Sequence, residues 1–268
     1  MNKKVIIIII AVVVVIAAAI GIYLVFSGSG YSQYSQAFKN TFNVNSMEFD
    51  TSVRVELDDG RKIISTGNFK LKDLDSNPQF VNTMTIDGQT VTQFSDGANI
   101  YTDDGTNKNK MRIGDEPTPK QQERESDDFS FDAYISEFSS LLDASKIKQL
   151  NALEAVAEKY VDKIESENVS GGKKYTVTLL PQAVDELVDN FLNENLSNKA
   201  MSPTAEIFAV TYTATVVSDY VTEIAFSIDM DVTAPGESTK ERVTVDFTIS
   251  PVNPGRNVDF SLPSTDGY

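Results

Sequence analysis

The most constraining feature of the chain is an uncharged, apolar run close to its N-terminus, residues 5–26. A helix of that length would be about 33 Å long, which matches the roughly 30 Å hydrocarbon core of a bilayer. Lys3 and Lys4 precede the run, and the next charged residue is Lys39. Because the cytosolic flank of a membrane helix carries the excess of basic residues, this pattern predicts a cytosolic stub, residues 1–4.

A cleaved signal peptide is the alternative interpretation of the same run. Three alanines at residues 17–19 supply a small-residue cleavage site, but the apolar sequence continues as far as Phe26. A lipoprotein anchor is excluded because the chain has no cysteine to acylate. We therefore predict a single-pass protein of the cell membrane, with a transmembrane anchor, a hinge at residues 27–30 and an extracytoplasmic domain at residues 31–268.

The side chains that the sequence lacks exclude several classes of function. The chain contains no cysteine, no histidine and no tryptophan. Without thiols and imidazoles it has no cysteine or Ser-His-Asp nucleophile, zinc finger, haem histidine or disulfide framework. Aspartate pairs at residues 58–59 and 127–128 lie among solvating residues, where nothing indicates the burial that acid–base catalysis requires. We expect no catalytic residues and a protein that is not an enzyme.

The charge balance is strongly acidic, with 23 lysines and arginines against 39 aspartates and glutamates, a formal net charge of −16. The two lysines of the stub are the only charged residues among the first 30, so the remainder is more acidic still. An acidic domain is repelled by phosphate backbones, which excludes nucleic acid as a partner.

One acidic loop, residues 103–109, invites comparison with a calcium site. Counted from Asp103 or from Asp104, it lacks the glycine at position six and the glutamate at position twelve of an EF-hand loop. A polar turn is the better interpretation. Gly171 and Gly172 likewise lack the context of a phosphate-binding loop and indicate a turn. We expect neither a metal nor a cofactor.

Alternation of apolar and polar residues predicts strands in the first half of the domain. Val53, Val55 and Leu57 alternate with charged residues, and Asp59-Gly60 turns the chain into a second strand. Further turns separate short runs at residues 81–86, 91–94, 98–101 and 110–113. Ahead of these strands, aromatic residues recur at helical spacing and predict a short helix with one aromatic face, formed by Tyr31, Tyr34, Phe38 and Phe42.

The middle of the chain mixes helical and strand patterns. The spacing of apolar residues predicts three helices, at about residues 131–142, 146–157 and 181–192. Between the second and third of these helices, residues 159–167 and 173–180 flank a glycine turn and predict a β-hairpin.

The last third carries the clearest alternation in the chain. Three long stretches each present one apolar and one largely polar face, as expected of an antiparallel sheet curved around a core or a cavity. The apolar positions are Phe208, Val210, Tyr212, Ala214 and Val216, then Ile224, Phe226, Ile228, Met230 and Val232, and finally Val243, Val245, Phe247 and Ile249. Ten or eleven strands and three or four helices predict a single α+β domain.

Four stretches carry a resemblance to a known family. They are the first helix running into Ser46-Met47-Glu48-Phe49-Asp50, the strand-turn-strand at residues 92–101, the hairpin at residues 165–175, and closing strands that end at Phe260-Ser261-Leu262-Pro263. In this order they resemble the LolA/LppX-like family of bacterial extracytoplasmic lipid-binding proteins. The resemblance implies an unclosed antiparallel β-barrel covered by helices, with an apolar pocket, and assigns no individual ligand residue. Family members are usually secreted or anchored through cysteine, which this chain lacks.

Two functions are consistent with these patterns. The leading hypothesis is a membrane-tethered extracytoplasmic protein that binds a lipid or an acyl chain. The alternative is a structural or sensory envelope ectodomain with a filled core that contacts another envelope protein, because alternation cannot distinguish a filled interior from an open one. The predicted partners are accordingly the membrane, an apolar ligand or an envelope protein. The candidate ligand-lining residues are Phe208, Val210, Tyr212, Phe226, Ile228, Met230, Val245 and Phe247.

Overall fold

One helix and eleven antiparallel strands make up the main elements of the described part of the chain. The computed structural model describes residues 32–73, 76–77, 79–86, 88–112, 161–182, 204–233 and 238–268. Helix α1 spans Ser32–Phe42. The strands are β1 (Ser46–Leu57), β2 (Lys62–Lys72), β3 (Gln79–Ile86), β4 (Gln89–Ser95), β5 (Asn99–Asp103), β6 (Lys108–Arg112), β7 (Val161–Val169), β8 (Gly172–Leu179), β9 (Thr204–Val217), β10 (Tyr220–Thr233) and β11 (Lys240–Val252).

All eleven strands belong to one curved, unclosed sheet with the order β6-β5-β4-β3-β2-β1-β11-β10-β9-β8-β7. Each run of the chain, β1 to β6 and β7 to β11, is a meander in which consecutive strands pair. The two meanders are joined by the pairing of β1 with β11, in which Val53, Val55 and Leu57 lie opposite Phe247, Val245 and Val243. This register places the apolar positions of both meanders on the same face of the sheet.

That apolar face, which we call the inner face, also receives helix α1. Tyr34 and Phe38 of α1 join the same buried cluster as Val55, Tyr212 and Phe226. The opposite, outer face carries most of the charged side chains, as expected of an antiparallel sheet with one face packed and one in water.

A buried threonine holds the end of α1 against strand β10. The Thr41 hydroxyl accepts a hydrogen bond of 2.8 Å from the backbone N–H of Val221 and donates one of 2.7 Å to the carbonyl of Ala37. Val221 lies next to an irregularity in the β9–β10 register. The threonine side chain therefore satisfies two backbone groups at once and fixes the helix on the inner face.

Most of the predicted elements within the described ranges are confirmed. The structure has the early helix, the hairpins that turn at Gly60 and Gly171, the short strands between them and the three long closing strands. The helices predicted at residues 131–142 and 146–157 lie outside the described residues, and of the third only Pro181 and Gln182 are described, as helical.

The predicted membrane segment, residues 5–26, also lies outside the described residues. Within the described ranges, no helix has the length and apolar character needed to cross a bilayer.

The closing strands end earlier than the sequence predicts. Strand β11 ends at Val252 rather than near Phe260, because Asn253 and Gly255 adopt positive φ angles of 53° and 74° on either side of Pro254, which has no N–H to continue the ladder. The chain then leaves the sheet as a tail without helix or strand, residues 253–268.

This C-terminal tail crosses the outer face of the first meander. The Asn257 side chain accepts hydrogen bonds from the backbone N–H groups of Asn45 and Ser46, and the carbonyl of Phe260 accepts one of 2.9 Å from Lys72 Nζ. At its end, the ring of Tyr268 packs edge-on against Phe94 and Tyr101, at centroid distances of 5.6 and 5.3 Å. The tail therefore covers an aromatic pair that would otherwise face water.

Candidate functional site

Seven of the eight candidate lining residues lie together on the inner face of β9, β10 and β11. In the strand pairing, Phe226 lies opposite both Tyr212 and Phe247, and Ile228 lies opposite both Val210 and Val245. The seven side chains are all buried; they are Val210, Tyr212, Phe226, Ile228, Met230, Val245 and Phe247. Tyr212 and Phe226 are in ring contact, with centroids 4.9 Å apart. This half of the inner face is a packed layer.

Phe208 does not lie with the other seven. The register of β9 against β10 shifts so that Asp229 pairs with Ala209 and Met230 with Ile207, which leaves Phe208 as the extra residue of a β-bulge. On the N-terminal side of the bulge, the odd-numbered residues of β9 face inward instead of the even-numbered ones. Ile207 is therefore buried, and Phe208 lies on the outer face, 40% exposed. There the Arg242 guanidinium lies 3.9 Å above its ring. The prediction that Phe208 faces inward with the other apolar residues of β9 is therefore wrong.

A pair of buried phenols joins helix α1 to this layer. The hydroxyl of Tyr34 is hydrogen-bonded to that of Tyr212. Burial raises the pKa of Tyr34 above its ordinary value, and burial together with the neighbouring Tyr34 raises the pKa of Tyr212 well above its own. Both phenols are therefore neutral at physiological pH, and one of the two hydroxyl protons remains available for a second hydrogen bond.

Aromatic side chains continue from this pair across the inner face into the first meander. Successive rings lie with their centroids 4.2 to 6.5 Å apart, within the range of aromatic contact. We call this series the aromatic row; in spatial order it contains Tyr175, Tyr34, Phe38, Phe42, Phe49, Phe69 and Phe80. The row connects the large core cluster under α1 with a smaller cluster formed by Phe80 and Ile100.

The rings of the aromatic row differ in how far they are exposed to solvent. At the α1 end, Tyr34 and Phe38 are buried, whereas Phe42, Phe49 and Phe69 are only half-buried. Other apolar side chains of the first meander that face the same way are half-buried too; they include Leu71, Met84 and Met111. A small cleft, lined in part by Phe42, Phe49 and Pro251, opens beside the middle of the row. The first meander thus offers apolar surface that the described residues leave partly open.

Polar side chains lie beside the end of the aromatic row, on the same face. Across β3, β4, β5 and β6, the register places Asn82, Gln93, Thr102 and Asn109 side by side, and Asn82 in turn lies opposite Phe69. These four residues form a row of three amides and one hydroxyl. Gln93 is 3% exposed, and its Nε2 atom has no hydrogen-bond partner.

Charge is confined to the outer face of the first meander. On the inner face, strands β1 to β6 place no acidic or basic side chain at any position. On the outer face, Glu48 forms a salt bridge of 3.4 Å with Lys70 and accepts a hydrogen bond from Asn68. The inner face of β1 to β6 therefore offers no charged side chain to pair with a charged ligand.

The acidic loop at residues 103–109 is a turn. Asp104 Oδ1 accepts hydrogen bonds of 2.8 and 2.6 Å from the backbone N–H groups of Thr106 and Asn107. These bonds, that from Asn107 foremost, lower the pKa of the Asp104 carboxyl. Among the described residues, no three acidic side chains are arranged to hold a metal ion.

Sequence patterns missed the polar part of this face for a physical reason. In the stretch from Val91 to Ser95, the two apolar residues Val91 and Phe94 are three positions apart and so lie on opposite faces of a strand, which leaves the inward face undecided by alternation. The structure places Phe94 on the outer face, 0% exposed beneath Tyr268 and Tyr101, and Gln93 on the inner face. Only the register with β3, in which Val91 lies opposite Met84, identifies the inward set.

Comparison with known proteins adds two solved structures. No protein-family model matches the chain, and no curated protein matches it. The chain is similar to a LolA superfamily protein from Nitrosomonas europaea, at 9% identity and a TM-score of 0.27, over 88% of this chain and 96% of that one. It is also similar to a β-barrel-like protein of a domain of unknown function from Brucella abortus, at 9% identity and a TM-score of 0.20, over 77% and 95% of the two chains.

Neither structure is similar enough to assign the chain to a family, and the fold is defined by its own strand order and register.

The phenol pair makes stability dependent on alkaline pH. Because the folded state raises both pKa values, its stabilisation is complete below about pH 10, where unfolded tyrosine begins to ionise, and is lost as the pH rises above that value. In urea unfolding at about pH 8 and about pH 10.5, we expect the wild type to lose more stability than the Tyr34→Phe/Tyr212→Phe variant. The exposed Tyr220→Phe variant should behave as the wild type. Equal losses in wild type and double variant would contradict the neutral phenol pair.

Proposed function

We propose that this chain is a membrane-tethered, extracytoplasmic binding protein for an apolar ligand, a lipid or an acyl chain, and not an enzyme. The observation that carries the proposal is the half-buried part of the aromatic row, from Phe42 through Phe49 to Phe69, on an inner face whose first six strands have no charge. Apolar side chains left partly in water on one continuous surface are typical of ligand-binding grooves.

The binding surface in this proposal is the first meander rather than the closing strands. Tyr212, Phe226 and Met230 are buried and in close contact, so a ligand there would have to displace a packed layer. Along Phe42, Phe49 and Phe69, a ligand would instead cover apolar surface that is already partly exposed.

The energetics allow measurable binding. An acyl chain of sixteen carbons gains about 0.8 kcal/mol for each CH₂ removed from water, against an association cost of about 4 to 15 kcal/mol. A lipid already in a bilayer has that surface covered, so its transfer to the protein is close to neutral. The hinge at residues 27–30 has a root-mean-square reach of only about 10 to 12 Å. The proposed role is therefore to receive, present or sense a lipid near one membrane.

A second candidate function is favoured by the packed closing strands. A structural or sensory ectodomain requires a filled core, and the large buried cluster under α1, which includes Tyr212, Ile228 and Val245, is one. In this alternative the half-buried surface of the first meander would contact another envelope protein. Ligand analysis separates the two functions.

Lipid analysis of residues 31–268, produced without the N-terminal segment, tests the binding function. We expect the domain to co-purify with acyl lipid detectable by mass spectrometry, or to take up a fluorescent fatty acid. Phe69→Ala, which removes a half-buried inner ring, should weaken probe binding about tenfold or more. Phe208→Ala removes a ring that is 40% exposed on the outer face and should leave binding unchanged. A folded domain without lipid and without probe uptake would leave only the structural or sensory function.

Protease accessibility tests the tether and the localisation. On intact, wall-stripped cells, external protease should remove nearly all of residues 27–268 and leave an N-terminal stub in the membrane. The stub is expected because residues 1–26 would be buried in or behind the bilayer. Complete protection would contradict the extracytoplasmic location, and a mature N-terminus at Ile20 would establish the cleaved signal peptide instead.

A further inference from the structure

Gln93 places a buried polar side chain on the inner face, and apolar packing does not explain why it lies there. Its Nε2 atom is buried and is the one buried side-chain nitrogen or oxygen without a partner among the described residues. A buried donor without an acceptor is unfavourable, and nearly all such groups in proteins are paired. A ligand that supplies the missing acceptor would explain why Gln93 Nε2 is buried without a hydrogen-bond partner in the protein.

The surroundings of Gln93 define what that ligand must look like. On the neighbouring strands Asn82 and Thr102 flank it directly, at the separation of one strand spacing. Phe69, in the aromatic row, lies opposite Asn82 and therefore two strands from Gln93, a lateral distance of about 10 Å. A molecule with an apolar part on Phe69 and Phe49 would thus bring a polar group attached to it within reach of Gln93.

The same surface restricts the charge of the polar group. Strands β1 to β6 have no basic side chain on the inner face that could pair with a carboxylate or a phosphate. A buried anion without a cationic partner is strongly unfavourable, whereas a neutral carbonyl needs only a hydrogen-bond donor. Gln93 Nε2 is such a donor.

We propose that Gln93 Nε2 donates a hydrogen bond to the neutral carbonyl oxygen of an acyl ester or amide, whose hydrocarbon part lies along the half-buried middle of the aromatic row, at Phe49 and Phe69. This inference rests on the proposed binding function and specifies the ligand class for it. Gln93 thereby selects an esterified or amidated acyl group over a bare hydrocarbon and over a free fatty acid.

Photoaffinity labelling of the purified full chain tests this inference. Three sixteen-carbon probes carry the same diazirine on the chain and differ at one end, which is a methyl ester, a methyl group or a carboxylate. In the wild type, we expect the ester probe to label the inner-face peptides of β1 to β6 about five- to tenfold more than the alkane probe, the effect of one neutral hydrogen bond. The carboxylate probe should label these peptides less than the ester probe.

Two variants of strand β4 identify the donor. Gln93→Leu keeps the size of the side chain but removes the N–H group, so labelling by the ester should fall to the alkane level while alkane labelling is unchanged. Gln89→Leu makes the same change on the same face at an exposed position and should retain the ester preference. Thermal melts of both variants confirm folding.

The outcomes separate the inference from the function on which it rests. If none of the probes labels the inner face, the binding function fails and the inference with it. Equal labelling by ester and alkane, or an ester preference that survives Gln93→Leu, would overturn the inference alone. Stronger labelling by the carboxylate than by the ester would overturn the neutral ligand class.

Discussion

The pairing of β1 with β11 is the interaction on which the rest of the structure depends. It aligns ten residue pairs, from Glu48 opposite Val252 to Leu57 opposite Val243, between segments that are far apart in the sequence. Without this ladder each meander would have an additional unpaired edge and an apolar face too small to bury itself. With it, the inner face is continuous from β6 to β7, and the aromatic row crosses the junction at Phe49.

The two meanders use this common face differently. Under α1, the closing strands present large apolar residues opposite one another, and Tyr212, Ile228 and Met230 are almost completely buried. The first meander has shorter strands and a mixed inner face, where Phe69 and Met84 are half-buried and Gln93 is polar. The closing strands therefore form a packed layer, whereas the first meander leaves part of its apolar inner face half-buried.

Alternation predicts much of this fold because each strand has one wet face. Val55, Val245 and Phe226 could be assigned to the interior from the sequence alone, and the structure buries all three. The pattern fails where a long-range or irregular contact decides the orientation. A bulge in β9 turns Phe208 outward, and the side chain of Tyr268, far along the chain, covers Phe94 on the outer face. The candidate site was missed for the same reason, because Gln93 and Asn82 are neighbours only through strand register.

The central claim is that an apolar ligand lies on the inner face of the first meander. A crystal structure of the protein purified from the cells that produce it, without added ligand, tests this claim most directly. The account predicts elongated electron density in contact with Phe49 and Phe69, with a polar atom within hydrogen-bond distance of Gln93 Nε2. An inner face in which protein side chains fill the space beside Phe69, with Gln93 Nε2 bonded to a protein acceptor, would contradict it.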